Sequence, residues 1–178
     1  MYKRQDHDQG AIDFSVPFSF RFLTGFPPRY FFRFDPKVDL SEGDIIDDRT
    51  IELAAKYGAQ VRTVESNGLA LRIVEAGDGP LVILVHGWPE SWYSWRHQFS
   101  ALAEAGYKVV APDMRGYGGS AIPSAIEDYN IKELAADVSG IITALGEESA
   151  AIVGHDWGAP IAWHTALLYP KKIDAVVG

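Results

Sequence analysis

Ala150-Ala151-Ile152-Val153-Gly154-His155-Asp156-Trp157-Gly158 decides how the rest of the chain is read. Its first four residues are apolar and lead into a glycine, which predicts a strand over residues 150–153. The stretch that follows predicts a helix running to about Tyr169, before Pro170. A strand that turns straight into a helix holds one residue at the tip of the turn. Motifs of this shape usually read G-x-S-x-G and present a serine. Here the tip is Asp156. Serine needs a base to deprotonate it, whereas a carboxylate is already an anion at neutral pH.

Working outward, the same alternation recurs. Leu81-Val82-Ile83-Leu84-Val85 is an unbroken apolar run, the pattern of a strand buried on both faces of a parallel sheet. A helix is predicted over about Ser91–Ala105 and ends at Gly106. A second buried strand, Tyr107–Ala111, leads to the glycine-rich loop Asp113–Ser120. Asn130 and Glu133 form a capping-box-like start to a helix over Ile131–Leu145, which Gly146 stops. Ile173–Val177 begins one more strand. Upstream, Val61–Ser66 and Leu69–Glu75 flank Asn67-Gly68, a type I′ hairpin signal. Strands and helices at this spacing mean right-handed crossovers and an α/β fold, a mostly parallel sheet with flanking helices.

Composition changes near residue 60. Eight of the nine phenylalanines lie between Phe14 and Phe34, interleaved with prolines that exclude a long strand or helix. Residues 44–57 predict one helix, with Asp44, Asp47 and Asp48 in the first turn and Gly58 at the stop. Two parts are therefore expected: an aromatic-rich extension with one helix over 1–60, and the α/β core over 61–178. The chain has 178 residues and a formal charge of −8 without a basic patch, so nucleic acid is not an expected partner. It has no cysteine, which excludes disulfides and thiolate chemistry. No run approaches the length of a membrane-spanning helix and no signal peptide is apparent, so the default location is cytoplasmic.

Ligands of open α/β sheets bind beyond the carboxyl ends of the strands. Two loops leave such ends, His86-Gly87-Trp88-Pro89 and the turn around Asp156. On its own Asp156 would read as a helix N-cap. Paired with the second loop it becomes a nucleophile that displaces at an sp³ carbon, leaving an alkyl ester. Backbone N–H groups of Trp88 and Trp157 are the candidate donors of an oxyanion hole, one from each loop. Trp88, Pro89 and Trp157 are candidate substrate contacts. His86 and His155 border the loops and, with Gly87, Gly154 and Gly158, are expected to support their geometry. Asp113 and Arg115 are expected to pair and pin the glycine loop. No metal or cofactor is expected.

His86-Gly87-Trp88-Pro89-Glu90-Ser91-Trp92-Tyr93-Ser94-Trp95-Arg96, Asp113 through Ser120, and Val153 through Gly158 together resemble an α/β-hydrolase of the epoxide hydrolase type. The resemblance covers about residues 61–178. It implies that Asp156 opens an oxirane, with Trp88 and Trp157 supplying the oxyanion-hole amides and a small epoxide as substrate. Haloalkane dehalogenase, which shares the aspartate elbow and would take an alkyl halide, is the alternative. Such enzymes usually carry Asn or Glu where Trp88 stands. Similar enzymes place a cap domain with proton-donating tyrosines after the strand at Ile173, and a water-activating acid and histidine later still. The expectation is thus an incomplete fold, without the cap and the C-terminal part, and a fragment that stalls after one turnover.

Overall fold

The computed structural model describes residues 47–178, all within one compact unit. The aromatic stretch between Phe14 and Phe34 and the first three residues of the expected 44–57 helix lie outside the described residues. In chain order the elements are α1 (Asp48–Ala55), β1 (Gln60–Ser66), β2 (Leu69–Ala76), β3 (Leu81–Val85), a 3₁₀ turn at Trp92–Trp95, α2 (Gln98–Glu104) and β4 (Lys108–Pro112). A 3₁₀ turn at Ile126–Tyr129 follows, then α3 (Ile131–Ala144), β5 (Ala150–Gly154), α4 (Gly158–Leu168), a last 3₁₀ turn at Pro170–Lys172 and β6 (Ile173–Val177). Among the described residues no helix is long and apolar enough to cross a membrane.

The six strands form one sheet in the order β1-β2-β4-β3-β5-β6. β1 and β2 are an antiparallel hairpin, β2 meets β4 antiparallel, and the pairs from β4 through β6 are parallel. The hairpin turn holds Asn67 at φ 50° and Gly68 at φ 73°, the two positive angles that a type I′ turn requires.

β3 explains its own unbroken apolar run. Leu81, Ile83 and Val85 point to one face, where Val138, Ile141 and Ile142 of α3 and Ile161 of α4 cover them. Val82 and Leu84 point to the other, against Ala54 of α1, Trp92 and Phe99 of α2. Alternate side chains leave opposite faces of a strand, so helices on both sides leave no position for a polar residue. Complete burial of one such aliphatic side chain contributes about 1.5–3 kcal/mol. The sheet is therefore a rigid floor for the loops at its carboxyl edge.

Three local expectations change. The helix expected over 91–105 is broken into the 3₁₀ turn and α2. The Tyr93 carbonyl accepts the Arg96 backbone N–H at 3.2 Å and the Arg96 guanidinium at 2.9 Å, so it does not serve the next residue as an α-helix would demand. The Arg96 head also sits over the Tyr93 ring, 4.4 Å from its centroid. The capping box at α3 is half formed. Asn130 Oδ1 accepts the Lys132 and Glu133 amides, while the Glu133 carboxylate turns to Asn67 Nδ2 at 2.9 Å.

Asp113 and Arg115 do not pair with each other. Asp113, fully buried, takes both the Arg72 Nε–H at 2.7 Å and the second guanidinium nitrogen at 2.6 Å. It also accepts the Trp92 amide at 3.0 Å. Arg115 forks onto Asp137 of α3, at 2.7 and 2.6 Å, and donates to the Asp128 carbonyl at 2.6 Å. Each pair is buried with its hydrogen bonds made, the condition under which a buried ion pair is tolerated. Burial pushes the Asp137 carboxyl above its ordinary value, against the pull of Arg115. At the start of α1, Asp47 accepts from the Thr50 amide and hydroxyl, each at 2.8 Å, and lies 3.4 Å from Arg72.

Candidate functional site

β5 ends at Gly154, and the His155 amide still donates to the Val85 carbonyl of β3 at 3.2 Å. Asp156 then takes φ 54°, a left-handed conformation that is uncommon for a residue with a side chain. Gly158 donates to the His155 carbonyl at 2.8 Å and Ala159 to the Asp156 carbonyl at 3.1 Å, which starts α4 immediately. Glycine is required on either side of the tip. A Cβ on Gly154 would run into the Gly158 carbonyl, and one on Gly158 into the carbonyls of Val85 and His86. Strand and helix thus touch backbone to backbone, and the carboxylate is thrust out at the tip.

The facing loop is anchored through His86. Its Nε2 accepts the Met114 amide at 3.0 Å and its Nδ1 lies 2.8 Å from the Gly87 carbonyl. An amide can only donate, so Nε2 is the bare nitrogen and Nδ1 carries the proton to the carbonyl. Both nitrogens are occupied and the ring is buried, so His86 braces the loop and has no nitrogen left for a substrate. Gly87-Trp88-Pro89-Glu90 is a turn closed by the Glu90 amide on the Gly87 carbonyl at 3.1 Å, with a cis Trp88–Pro89 peptide.

From this turn the Trp88 amide donates to Asp156 Oδ1 at 3.0 Å. The Trp88 N–H, and after it the Trp157 N–H, hold the Asp156 carboxyl below the ordinary aspartate value, with His155 adding a smaller pull. The two amides named from the sequence therefore converge on the one carboxylate. Charge-assisted bonds of this kind fix an anion in place as well as stabilise it.

A cavity of about 220 Å³ opens beside this pair, with Trp88, Met114, Tyr117, Leu134, Trp157 and Ile161 among its walls. Trp88 and Trp157 are 65% and 63% exposed, so their rings stand at the mouth. Pro89 is exposed and outside the cavity lining. His155 lies away from the cavity, its Nδ1 at 3.4 Å from Glu90 Oε2. Among the described residues no group of three or more His, Cys, Asp or Glu side chains is placed to hold a metal ion.

Two residues gained a place that the sequence did not suggest. Tyr117, in the glycine loop, lines the cavity and meets the His86 ring edge-on at 4.9 Å. Burial, and then the Asp156 charge, push its hydroxyl up, which keeps it a neutral phenol. Glu90 accepts the Gly87 amide at 3.0 Å. Its position directly after Pro89 was visible, but no local pattern reveals which backbone group a carboxylate will take.

At this elbow the Asp156 carboxylate is faced by the Trp88 amide from the loop of the neighbouring strand, at the carboxyl edge of an α/β sheet. The family model of the alpha/beta hydrolase fold matches residues 80–178, and the chain belongs to that family. It is 56% identical over 117 residues to epoxide hydrolase A of Mycobacterium tuberculosis (strain ATCC 25618 / H37Rv), covering 65% of this chain and 36% of that protein. To epoxide hydrolase B of the same organism it is 59% identical over 100 residues, 56% of this chain and 28% of the relative. The crystal structure of epoxide hydrolase A from Mycobacterium thermoresistibile superposes with a TM-score of 0.65 at 57% identity, covering 66% of this chain and 38% of that one. The chain thus spans about a third of the length of these relatives.

Proposed function

We propose that this chain carries the nucleophilic half of an epoxide hydrolase, with Asp156 as the group that opens the oxirane. The observation that carries this is the Asp156 carboxylate, held ionised by the Trp88 amide beside an apolar cavity that Trp88 and Trp157 line. The names of the relatives favour an epoxide over an alkyl halide. A carboxylate oxygen attacks one ring carbon, the ring C–O bond breaks, and the oxygen leaves as an alkoxide that takes up a proton. The product is a hydroxyalkyl ester on Asp156. Attack of water on the ester carbonyl then creates an oxyanion, which the Trp88 and Trp157 amides face, and collapse releases a vicinal diol and the free carboxylate. Removal of one comparable donor lowers the rate by about 10²–10³.

Among the described residues neither histidine beside the site stands ready to activate that water. His86 has both nitrogens engaged, and His155 turns to Glu90. An ester formed without an activated water would accumulate on Asp156. Incubation with styrene oxide and intact-mass spectrometry should show a gain of one epoxide mass, located on Asp156 by peptide mapping and absent in Asp156→Asn. An unmodified chain, or an adduct that survives in Asp156→Asn, overturns the assignment.

A further inference from the structure

Gly87 and Glu90 hold each other twice. The Glu90 amide donates to the Gly87 carbonyl at 3.1 Å, and Glu90 Oε2 accepts the Gly87 amide at 3.0 Å. The only residues between them are Trp88, whose amide meets Asp156, and Pro89, which has no N–H. The same Oε2 lies 3.4 Å from His155 Nδ1, next to Asp156 in the opposite loop. Two ties therefore bridge the loops side by side: Trp88 to Asp156 on the cavity side, and Glu90 to His155 on the other. The Glu90 side chain is three-quarters buried, so water competes weakly for its oxygens.

We infer that Glu90 is a positioning residue, whose carboxylate fixes the Trp88 turn so that the Trp88 N–H stays aimed at the Asp156 carboxylate. This rests on the proposed role of Asp156 and of the Trp88 amide. A backbone donor is useful to an oxyanion only if it is held before charge develops. His86 Nδ1 holds the Gly87 carbonyl from outside the turn, and within the turn Glu90 supplies the side chain that takes the Gly87 amide. Glu90 does not touch the reacting atoms. Its carboxylate acts on the Gly87 N–H, in the peptide plane that precedes Gly87, and its backbone N–H on the Gly87 carbonyl, in the plane that carries the Trp88 N–H.

Glu90→Ala and Glu90→Gln separate this role from electrostatics and from plain stability. Both remove a negative charge near Asp156, and that alone would lower the Asp156 pKa. Only Glu90→Ala removes the acceptor, which frees the Trp88 N–H and raises the Asp156 pKa. The expected result in the full chain, by carbon-detected NMR titration of Asp156, is a rise for Glu90→Ala and no rise for Glu90→Gln. Trp88 amide exchange should quicken roughly three- to tenfold in Glu90→Ala, the effect of one ordinary hydrogen bond, and be restored by Glu90→Gln. An Asp156 titration that does not rise in Glu90→Ala, or a glutamine variant that behaves as alanine does, overturns the inference. These readouts need no substrate. Failure of wild-type chain to form the styrene oxide ester sinks the proposed function instead, so the two failures are told apart.

Discussion

Gly87→Ala is the sharpest test of how tightly the two loops are fitted. Gly87 is outside the left-handed region, so alanine can take its backbone angles and the effect is one of space alone. The added Cβ would fall 2.5 Å from Asp156 Cβ, 2.7 Å from its Oδ1 and 2.9 Å from the His155 carbonyl oxygen. Carbon atoms rest about 3.5–4.0 Å apart, so the loops must separate by roughly 1 Å. Taken up at the facing amide, that movement would stretch the 3.0 Å Trp88–Asp156 bond beyond hydrogen-bonding range. Overpacking of this degree destabilises by about 1–3 kcal/mol. Urea denaturation should show a lower midpoint with an unchanged slope. The Asp156 carboxyl should rise toward its ordinary value as the first of its two donors is lost. Repeating the substitution in Asp156→Gly, which removes two of the three close atoms and suits φ 54°, should cost much less. A Gly87→Ala chain within about 0.5 kcal/mol of wild type, or an equal loss in both backgrounds, would refute this account of the fit.

Other perturbations probe the frame around the site. Burial pushes Asp47 up, but the Thr50 hydroxyl and amide and the Arg72 charge outweigh it and leave the carboxyl below its ordinary value. Its contribution is thus complete above the unfolded value of about 3.9 and fades as pH falls through the lower folded one. Asp47→Ala should lose ~1 kcal/mol at neutral pH, with the two melting curves converging in acid. For His86, ¹⁵N NMR should find the proton on Nδ1 and a bare Nε2. His86→Phe should lose about 1–3 kcal/mol in urea denaturation by leaving the Met114 amide unpaired. Arg115→Ala strands the fully buried Asp137 and should lose about 3–5 kcal/mol by the same assay. The double change Arg115→Met, Asp137→Leu should recover most of that, since no charge is then left alone.

What could be read from the sequence was local. The β3 run, the Asn67-Gly68 turn and the strand-to-helix elbow each write their geometry into neighbouring residues, and each formed. The amides of Trp88 and Trp157 could be named because backbone donors follow from a loop's place in the sheet, whatever the side chains are. The ion pairs could not. Asp113 and Arg115 are two residues apart and of opposite charge, which invites pairing. Yet Asp113 continues the register of β4 against β2, beyond Pro112 and Ile73, and so meets Arg72 on the next strand. Arg115, one turn further, meets α3 instead. Both partners are distant in sequence, and the sheet order that joins them is a product of the whole fold. The helix over 91–105 failed for a similar reason: Arg96 has a ring and a carbonyl to bind, and helical periodicity does not register either.

β3 and β5 pair in continuous parallel register from Val82 with Ala151 to Val85 with Gly154. Carried two steps beyond the sheet, the same count sets His86 against His155 and Gly87 against Asp156. The meeting of the two loops is the ladder prolonged, which is why it tolerates the exchange of a side chain better than a change of length. Deleting one residue from β5 would draw Asp156 about 3.3 Å along the strand and send its neighbours to the opposite face. The Trp88 amide would then point at the wrong residue in a sheet that could still form. Substitutions at the core of these strands weaken the protein by degrees. Insertions and deletions between Leu81 and Gly87, or between Ala150 and Asp156, would undo the alignment of the two loops in a single step.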